Sequence, residues 1–287
     1  MRMLITGAHS FIGNAVRARL EGDPAVEAGM AGVRDGAWRE IDFSRYDCVL
    51  HAAGIAHVRA DGSLDAQYDA VNHRLTADLA ARAKASGVGQ FIFLSSIIVF
   101  GEASPAGVRW EIGPETAPAP ANAYGQSKLD AENALRGLAG DGFRVAILRL
   151  PMVYGRGCKG NYNALVRLAQ RLPVFPEFDN RRSALYVGNL AELVRRAALD
   201  GAEGTFHPRD GRPQSTSSIV RAVCSAHGRR MRFSRALAPL VRWTGGHGLV
   251  RRAFGDMAYA DAAPDYPGDY RRFSFEEGIR ETEAGAP

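Results

Sequence analysis

MRMLITGAHSFIGNAV, residues 1–16, sets how the rest of the chain is read. A strand-like run, "MLIT", meets Gly7, a short loop and a helical pattern that starts near Phe11. Such a junction collects backbone N–H groups and a helix N-terminus where a pyrophosphate can sit. Gly7 supplies the tight turn, and Gly13, one turn into the helix, removes a side chain where helix and strand must pack closely. Between them Ser10 occupies the position at which a third glycine would let phosphate approach the backbone. Serine is the next smallest polar choice, and its hydroxyl can itself donate to phosphate. Gly7, Ser10, Phe11, Ile12 and Gly13 are therefore the candidate phosphate cradle. Taken alone, the same letters also describe a plain strand, turn and helix.

Outward from this stretch, strand-like runs alternate with helix-like ones: "EAGMAGV", "CVLHAAG", Tyr68 to Ala85, "QFIFLSS", Tyr124 to Leu138 and "RVAILRL". The alternation predicts an α/β protein with a Rossmann-type doubly wound parallel sheet, covered by helices on both faces. After Leu150 the pattern breaks at Pro151, Gly155, Gly157, Gly160, Pro173 and Pro176. Residues 1–150 are thus expected to form the Rossmann core, and 151–287 mainly a smaller substrate-binding region with some segments returning to the core. "GPETAPAPANA" reads as a Pro/Ala-rich surface loop.

Composition narrows the function. The 287 residues are 46% hydrophobic and 23% charged, an ordinary soluble globule, with a net charge of +5. Only Lys84, Lys128 and Lys159 are lysines among 36 basic residues, and the arginines are scattered along the chain. This favours anionic small molecules over nucleic acid as partners. Cys48, Cys158 and Cys224 lie far apart and lack companions at metal-ligand spacing, so neither a disulfide framework nor a metal site is expected. No leader pattern or membrane-length apolar run is present, and a cytoplasmic protein without a membrane partner is the expectation.

A second constellation gives the junction its chemistry. In "AYGQSKLDAENAL", Tyr124 and Lys128 are four apart and share one helix face. With 9 tyrosines and 3 lysines in 287 positions, roughly 0.1 such pairs are expected by chance. Upstream, "FIFLSSIIVFGE" is a strand ending in Ser95 and Ser96, and the C-terminal end of a parallel strand faces the ligand crevice.

With these motifs in order, the chain resembles the extended short-chain dehydrogenase/reductase family of NAD(P)-dependent epimerases, dehydratases and reductases of nucleotide sugars. "TGAHSFIG", "VLHAAG", "VNHRLTADLAARAKASGVGQFIFLSS", Tyr124/Lys128, "LRLPMVYGRG", "RRSALYVGNLAELV" and "FSFEEGIRET" carry the resemblance over nearly the whole chain. The pattern "YG-x-G-x-KGN", Tyr154 to Asn161, is most similar to the bacterial surface-polysaccharide branch. Ser10 departs from the family glycine.

The resemblance implies roles. Ser96, Tyr124 and Lys128 would be catalytic, with Ser96 on the substrate oxygen and Ser95 structural. Tyr124 would be a proton donor whose pKa, ordinarily about 10, is drawn down by Lys128 and an oxidised nicotinamide. Lys128 would also hold the cofactor ribose. Ala52, Ala53 and Gly54 would pass beneath the pyrophosphate, and Asp42 would meet the adenine. His51 reads as a packed strand residue. Arg34 at the end of the second strand points to NADP(H), whereas Asp35 behind it would serve NAD(H). Arg182 would clamp the diphosphate of a nucleotide sugar, with Asn161 in the adjoining loop, Tyr154 and Gly155 shaping the turn, and Arg181 at the surface. Gly188 and Asn189 replace the end of the usual "YV-x-D" and question the local packing.

Three activities compete: a 4-keto reductase acting on a UDP- or dTDP-linked 4-keto-6-deoxy sugar, a nucleotide-sugar 4-epimerase that retains NAD, and a dinucleotide-sensing protein without catalysis. Dehydration is disfavoured because Ile97 and Ile98 stand where its acid/base pair belongs. A homodimer through a four-helix bundle, built on "TADLAARAKA" and "AENALRGLA", is a further implication.

Overall fold

β1 (Arg2–Thr6), α1 (Phe11–Leu20), β2 (Glu27–Ala31) and β3 (Cys48–His51) open the chain. α2 (Asp65–Tyr68) and α3 (Leu75–Ala85) lead to β4 (Gln90–Ser96), then a short β5 (Glu111–Ile112), α4 (Ala123–Leu138) and β6 (Arg144–Leu150) follow. The computed structural model describes residues 1–56 and 65–284. β1, β2, β3, β4 and β6 pair in parallel, in the spatial order β2-β1-β3-β4-β6.

β1, β3, β4 and β6 are buried on both faces, as a sheet between two helix layers requires, while β2 at the edge is only partly buried. Met3, Ile5, Cys48, Leu50, Ile92, Leu94, Ala146 and Leu148 pack on the side of α1. Leu4, Val49, Phe91, Phe93, Val145 and Ile147 pack on the side of α3 and α4, against Leu79, Ala83, Ala131 and Leu135. Each valine, leucine, isoleucine, phenylalanine or methionine among them contributes about 1.5–3 kcal/mol on burial.

One stretch departs from the expected pattern. The single helix expected from Tyr68 to Ala85 is interrupted by a π-helical turn, Asp69–Arg74. That wider turn carries Asn72 into a fully buried position, and turns of this kind concentrate at functional sites.

Beyond Leu150 come β7 (Met152–Tyr154), α5 (Asn161–Arg171), β8 (Val174–Pro176), β9 (Ala184–Tyr186), α6 (Val187–Leu199), β10 (Gly204–Phe206), α7 (Thr216–Ala226), β11 (Arg232–Ser234), α8 (Ala238–Trp243), α9 (Gly248–Phe254), β12 (Ala258–Tyr259) and α10 (Phe275–Glu283). α6 and β10 return to the core: α6 packs beside α1 through Leu190, Leu193 and Val194, and β10 extends the main sheet alongside β6. Most of the remaining elements surround a separate apolar cluster that includes Tyr154, Tyr162, Phe175 and Ile219, while Tyr259 of β12 joins another cluster with Ile97, Val99, Phe100 and Ile112.

Candidate active site

The C-terminal ends of β1, β3 and β4 meet in one crevice, and contacts between small residues bring them close. Gly7 has φ +87°, and a Cβ there would stand 2.8 Å from the Ala53 amide nitrogen, so only glycine fits. A Cβ at Gly13 would lie 2.5 Å from Ser10 Oγ and 3.2 Å from the Gly7 carbonyl. Ser10 itself has φ −77° and ψ 142°, an extended backbone open to any residue, and its hydroxyl accepts a hydrogen bond from the Gly13 amide at 2.9 Å. It is the N-cap of α1.

Among the described residues, no acceptor meets the Phe11 or Ile12 amide. Those two donors remain for an anion at the start of α1. A Cβ at Gly54 would stand 3.1 Å from Asn72 Oδ1 and 3.4 Å from Lys128 Nζ. The phosphate cradle and the lysine thus border the same small-residue floor, which a dinucleotide fits.

Ser96 ends β4 and caps the following 3-10 turn, where its Oγ accepts from the Ile98 amide at 3.4 Å. Asn122 caps α4 by accepting from the Gly125 amide at 2.9 Å. Gly125 lets the helix start lie directly on that turn, since a Cβ there would be 2.9 Å from the Ile98 carbonyl. This approach brings the side chains of Ser96 and Tyr124 near one another.

Tyr124 is half-buried, and its ring lies 5.6 Å from that of Tyr68. Burial raises its pKa above the ordinary value and the nearby Tyr68 adds to the rise, while the neighbouring Ser96 hydroxyl opposes it. The downward shift expected from the sequence is therefore absent in the protein alone. Lys128 explains part of the difference: its Nζ donates to the Leu94 carbonyl at 3.0 Å and lies 4.8 Å from the centre of the Phe93 ring. Burial draws the ammonium down to about 8, with Glu132 opposing that shift.

Two residues that support this arrangement carried no signal in the sequence reading. Asn72 Oδ1 accepts from the Ile55 amide at 2.9 Å, and its Nδ2 donates to the Ile55 carbonyl at 3.0 Å and to Ser127 Oγ at 3.2 Å. It ties the loop after β3 to the helix bearing Tyr124 and Lys128. Glu132, one turn beyond Lys128, is fully buried and accepts from Ser95 Oγ at 2.6 Å, Arg149 Nη2 at 2.7 Å and Arg136 Nη2 at 2.7 Å. Burial pushes its carboxyl up, but these donors together hold it below the ordinary value.

His51 lies between Thr6 at 2.7 Å and Thr76 at 3.0 Å. Burial holds its imidazole down at about 3, so it is neutral and packed.

At the adenosine end, Arg34 is exposed and begins a 3-10 turn after β2; among the described residues it forms no ion pair. The side chain of Asp35 lies outside the described structure. Asp42 is exposed and caps the next 3-10 turn through Ser44, accepting from its amide at 3.2 Å and its hydroxyl at 2.6 Å.

At the other end, Asn161 is the exposed first residue of α5. Arg182 is only 6% exposed, and Nη1 donates to the Gly255 carbonyl at 3.1 Å, the one hydrogen bond its guanidinium makes among the described residues. Burial lowers its pKa to about 10, against the pull of Asp256. Arg181 pairs with Glu111. Phe11 links the two ends, since a Cβ at Gly155 would lie 3.2 Å from Phe11 Cζ, while Ile12 packs on the core.

Tyr154 is buried in aromatic neighbours and donates to Asp210 Oδ2 at 2.9 Å. Asn189 donates to the other oxygen of that carboxylate at 2.8 Å. Thus Asn189 is paired with an acid supplied by another loop. Burial raises Asp210 to about 6 even though these bonds favour its ionised form. Cys48, Cys158 and Cys224 are buried free thiols.

Residues 3–207 match the pattern of the NAD dependent epimerase/dehydratase family. The chain belongs to this family. A UDP-glucose 4-epimerase of Vibrio cholerae is 32% identical over 249 residues, covering 78% of this chain and 75% of that protein. Among solved structures, a dTDP-4-dehydrorhamnose reductase from Clostridium acetobutylicum shares 18% identity over 99% of each chain, with a TM-score of 0.70. The UDP-glucose 4-epimerase of Thermus thermophilus in complex with NAD shares 21% identity over 99% of this chain and 98% of that one, with a TM-score of 0.69. At such identities the two structures establish the fold alone.

Membership makes the chain an NAD(P)-dependent epimerase or reductase of the extended short-chain dehydrogenase/reductase type. Among the described residues, no helix is long and apolar enough to cross a membrane.

Proposed function

We propose that this family member transfers hydride at C4 of a nucleotide-linked sugar, acting as a 4-keto reductase on a UDP- or dTDP-linked 4-keto-6-deoxy hexose. The observation that carries the reading is the placing of Ser96, at the end of β4, beside Tyr124 at the start of α4, one helical turn from Lys128 and followed by Ile97 and Ile98. The two isoleucines offer no side chain that can move a proton, so reduction or epimerisation is favoured over dehydration.

A bound nicotinamide cofactor supplies or accepts the hydride. Phe11 and Ile12 amides, Gly7, Ser10, Gly13, Ala52, Ala53 and Gly54 would hold its pyrophosphate side, Asp42 its adenine and Lys128 its ribose. In the reductive direction Tyr124 gives its phenolic proton to the C4 oxygen while Ser96 donates a hydrogen bond to the same atom, stabilising the charge that develops there. A tyrosine is already protonated at neutral pH, and the burial that raises the Tyr124 pKa makes it the weaker acid, so bound substrate and cofactor would have to favour the phenolate for that step. Arg182, whose guanidinium makes one hydrogen bond among the described residues, would take the substrate diphosphate, with Asn161 beside it.

Arg34, exposed and without an ion pair among the described residues, favours the 2′-phosphate of NADPH and hence the reductase. The Vibrio cholerae relative favours the second reading, a 4-epimerase, which would use the same serine, tyrosine and lysine. The cofactor carried through purification tests the choice: exchangeable NADPH supports the reductase, and tightly retained NAD supports the epimerase. The reading places the enzyme in the cytoplasm as a homodimer in which α3 and α4 of each chain build a four-helix bundle. Light scattering that shows only monomer at micromolar concentration would count against that assembly.

A further inference from the structure

We infer that α8, α9 and the loop around Val108 form a docking surface for an anionic lipid bilayer. Seven large hydrophobic residues are exposed among the described residues, and Val108, Leu240, Trp243 and Leu249 gather here, at 53%, 55%, 84% and 72% exposure. Leu240 and Trp243 are one turn apart on α8, and Trp243 and Val250 line one hollow. The loop is tied in by the Ala106 amide, which donates to the Gly245 carbonyl at 3.1 Å, and a Cβ at Gly107 would stand 3.1 Å from Arg242 Cγ.

The helix is apolar on both sides. Ala238 and Val241 face the inner cluster, while Leu240 and Trp243 face out, and Arg242 is its only polar residue. A helix apolar all round ordinarily lies buried.

Charge identifies what covers it. Residues 211–255 contain nine arginines and no aspartate or glutamate. Arg221 pairs with Glu177 and Arg251 with Glu102. Arg230, Arg232, Arg235, Arg242 and Arg252 are exposed and form no ion pair among the described residues. A second copy of this surface would set arginine against arginine. Nucleic acid would leave the exposed leucines without a partner, because bases stack on rings and not on aliphatic side chains. An anionic bilayer satisfies both features, with tryptophan and leucine entering the interface and arginines meeting phosphate headgroups. No spanning segment is needed, so the expectation drawn from the lack of one does not bear on this surface. Gly255, which follows α9, accepts from Arg182 through its carbonyl.

Flotation of the full chain with vesicles tests this at about 0.1 M salt, where screening sets in beyond about 10 Å. The chain should float with vesicles of equal phosphatidylglycerol and phosphatidylcholine and stay behind with phosphatidylcholine alone. Trp243→Ser with Leu249→Ser should weaken the bound fraction about tenfold or more, and Arg235→Gln with Arg252→Gln by a similar factor. Unchanged thermal melting and dinucleotide binding would show that both variants fold. The inference is overturned by any of three results: no preference for the anionic vesicles, binding to a single-stranded oligonucleotide in their place, or a dimer dissociated by Trp243→Ser in a chain that ignores vesicles.

Discussion

Ser10 Oγ accepts the Gly13 amide at 2.9 Å, so the serine that replaces a family glycine closes the first turn of the helix on which the phosphates would rest. Its extended backbone requires no glycine. Ser10→Gly should therefore bind dinucleotide with similar affinity in calorimetry, while Ser10→Ala should lower stability by about 1 kcal/mol through loss of the cap. A collapse of binding in Ser10→Gly would mean that the hydroxyl donates to phosphate.

Arg34 separates the cofactors. If it clamps a 2′-phosphate, Arg34→Ala should weaken NADPH binding by about 1.5–3 kcal/mol and leave NADH nearly unaffected. Equal losses in titrations of the two would assign the arginine to loop shape and favour the epimerase.

Glu132 and Arg149 form a buried pair beneath the site, with Nη2 2.7 Å from Oε2. Glu132→Gln leaves that guanidinium without its counter-charge, and urea unfolding should show a loss of about 3–5 kcal/mol. Adding Arg149→Met should recover much of it. A loss below about 1 kcal/mol in the single variant would contradict the pairing.

His207 stacks on Tyr259 with centroids 4.7 Å apart, and burial holds its imidazole at about 4 against an ordinary 6.5. Below the ordinary value the unfolded chain takes up a proton that the folded chain refuses, so stability falls as pH drops, by up to about 1.4 kcal/mol per pH unit. His207→Phe keeps a stacked ring and removes the proton. Its urea midpoint should vary less with pH than the parent's between about 4 and 6.5, and an unchanged slope would refute the assignment.

β1, β4 and β6 were legible because each is buried on both faces and bounded by turn residues, and "RMLIT", "QFIFLSS" and "RVAILRL" coincide with them. The Gly7 turn was legible for the same local reason. Asn72 was not, because a π-helical turn shifts the helical period by one residue, which periodicity does not register. Glu132 occupies what looks like a solvent position of a polar helix, and only Arg149 and Ser95, brought in by neighbouring strands, make it a core residue. Asp210 reaches Tyr154 across 56 positions. The direction of the Tyr124 shift also depended on tertiary contacts, since burial beside Tyr68 outweighs a lysine whose ammonium is turned to the Leu94 carbonyl.

The central claim is that Tyr124 donates the proton as hydride reaches C4. Its most direct test follows loss of reduced-nicotinamide absorbance when the enzyme meets NADPH and a UDP- or dTDP-linked 4-keto-6-deoxy hexose, comparing the parent with Tyr124→Phe. The account predicts turnover by the parent and a fall of about 10²–10⁴-fold in the variant, with NADPH affinity unchanged. A variant that binds NADPH and keeps most of the parent's rate would contradict it.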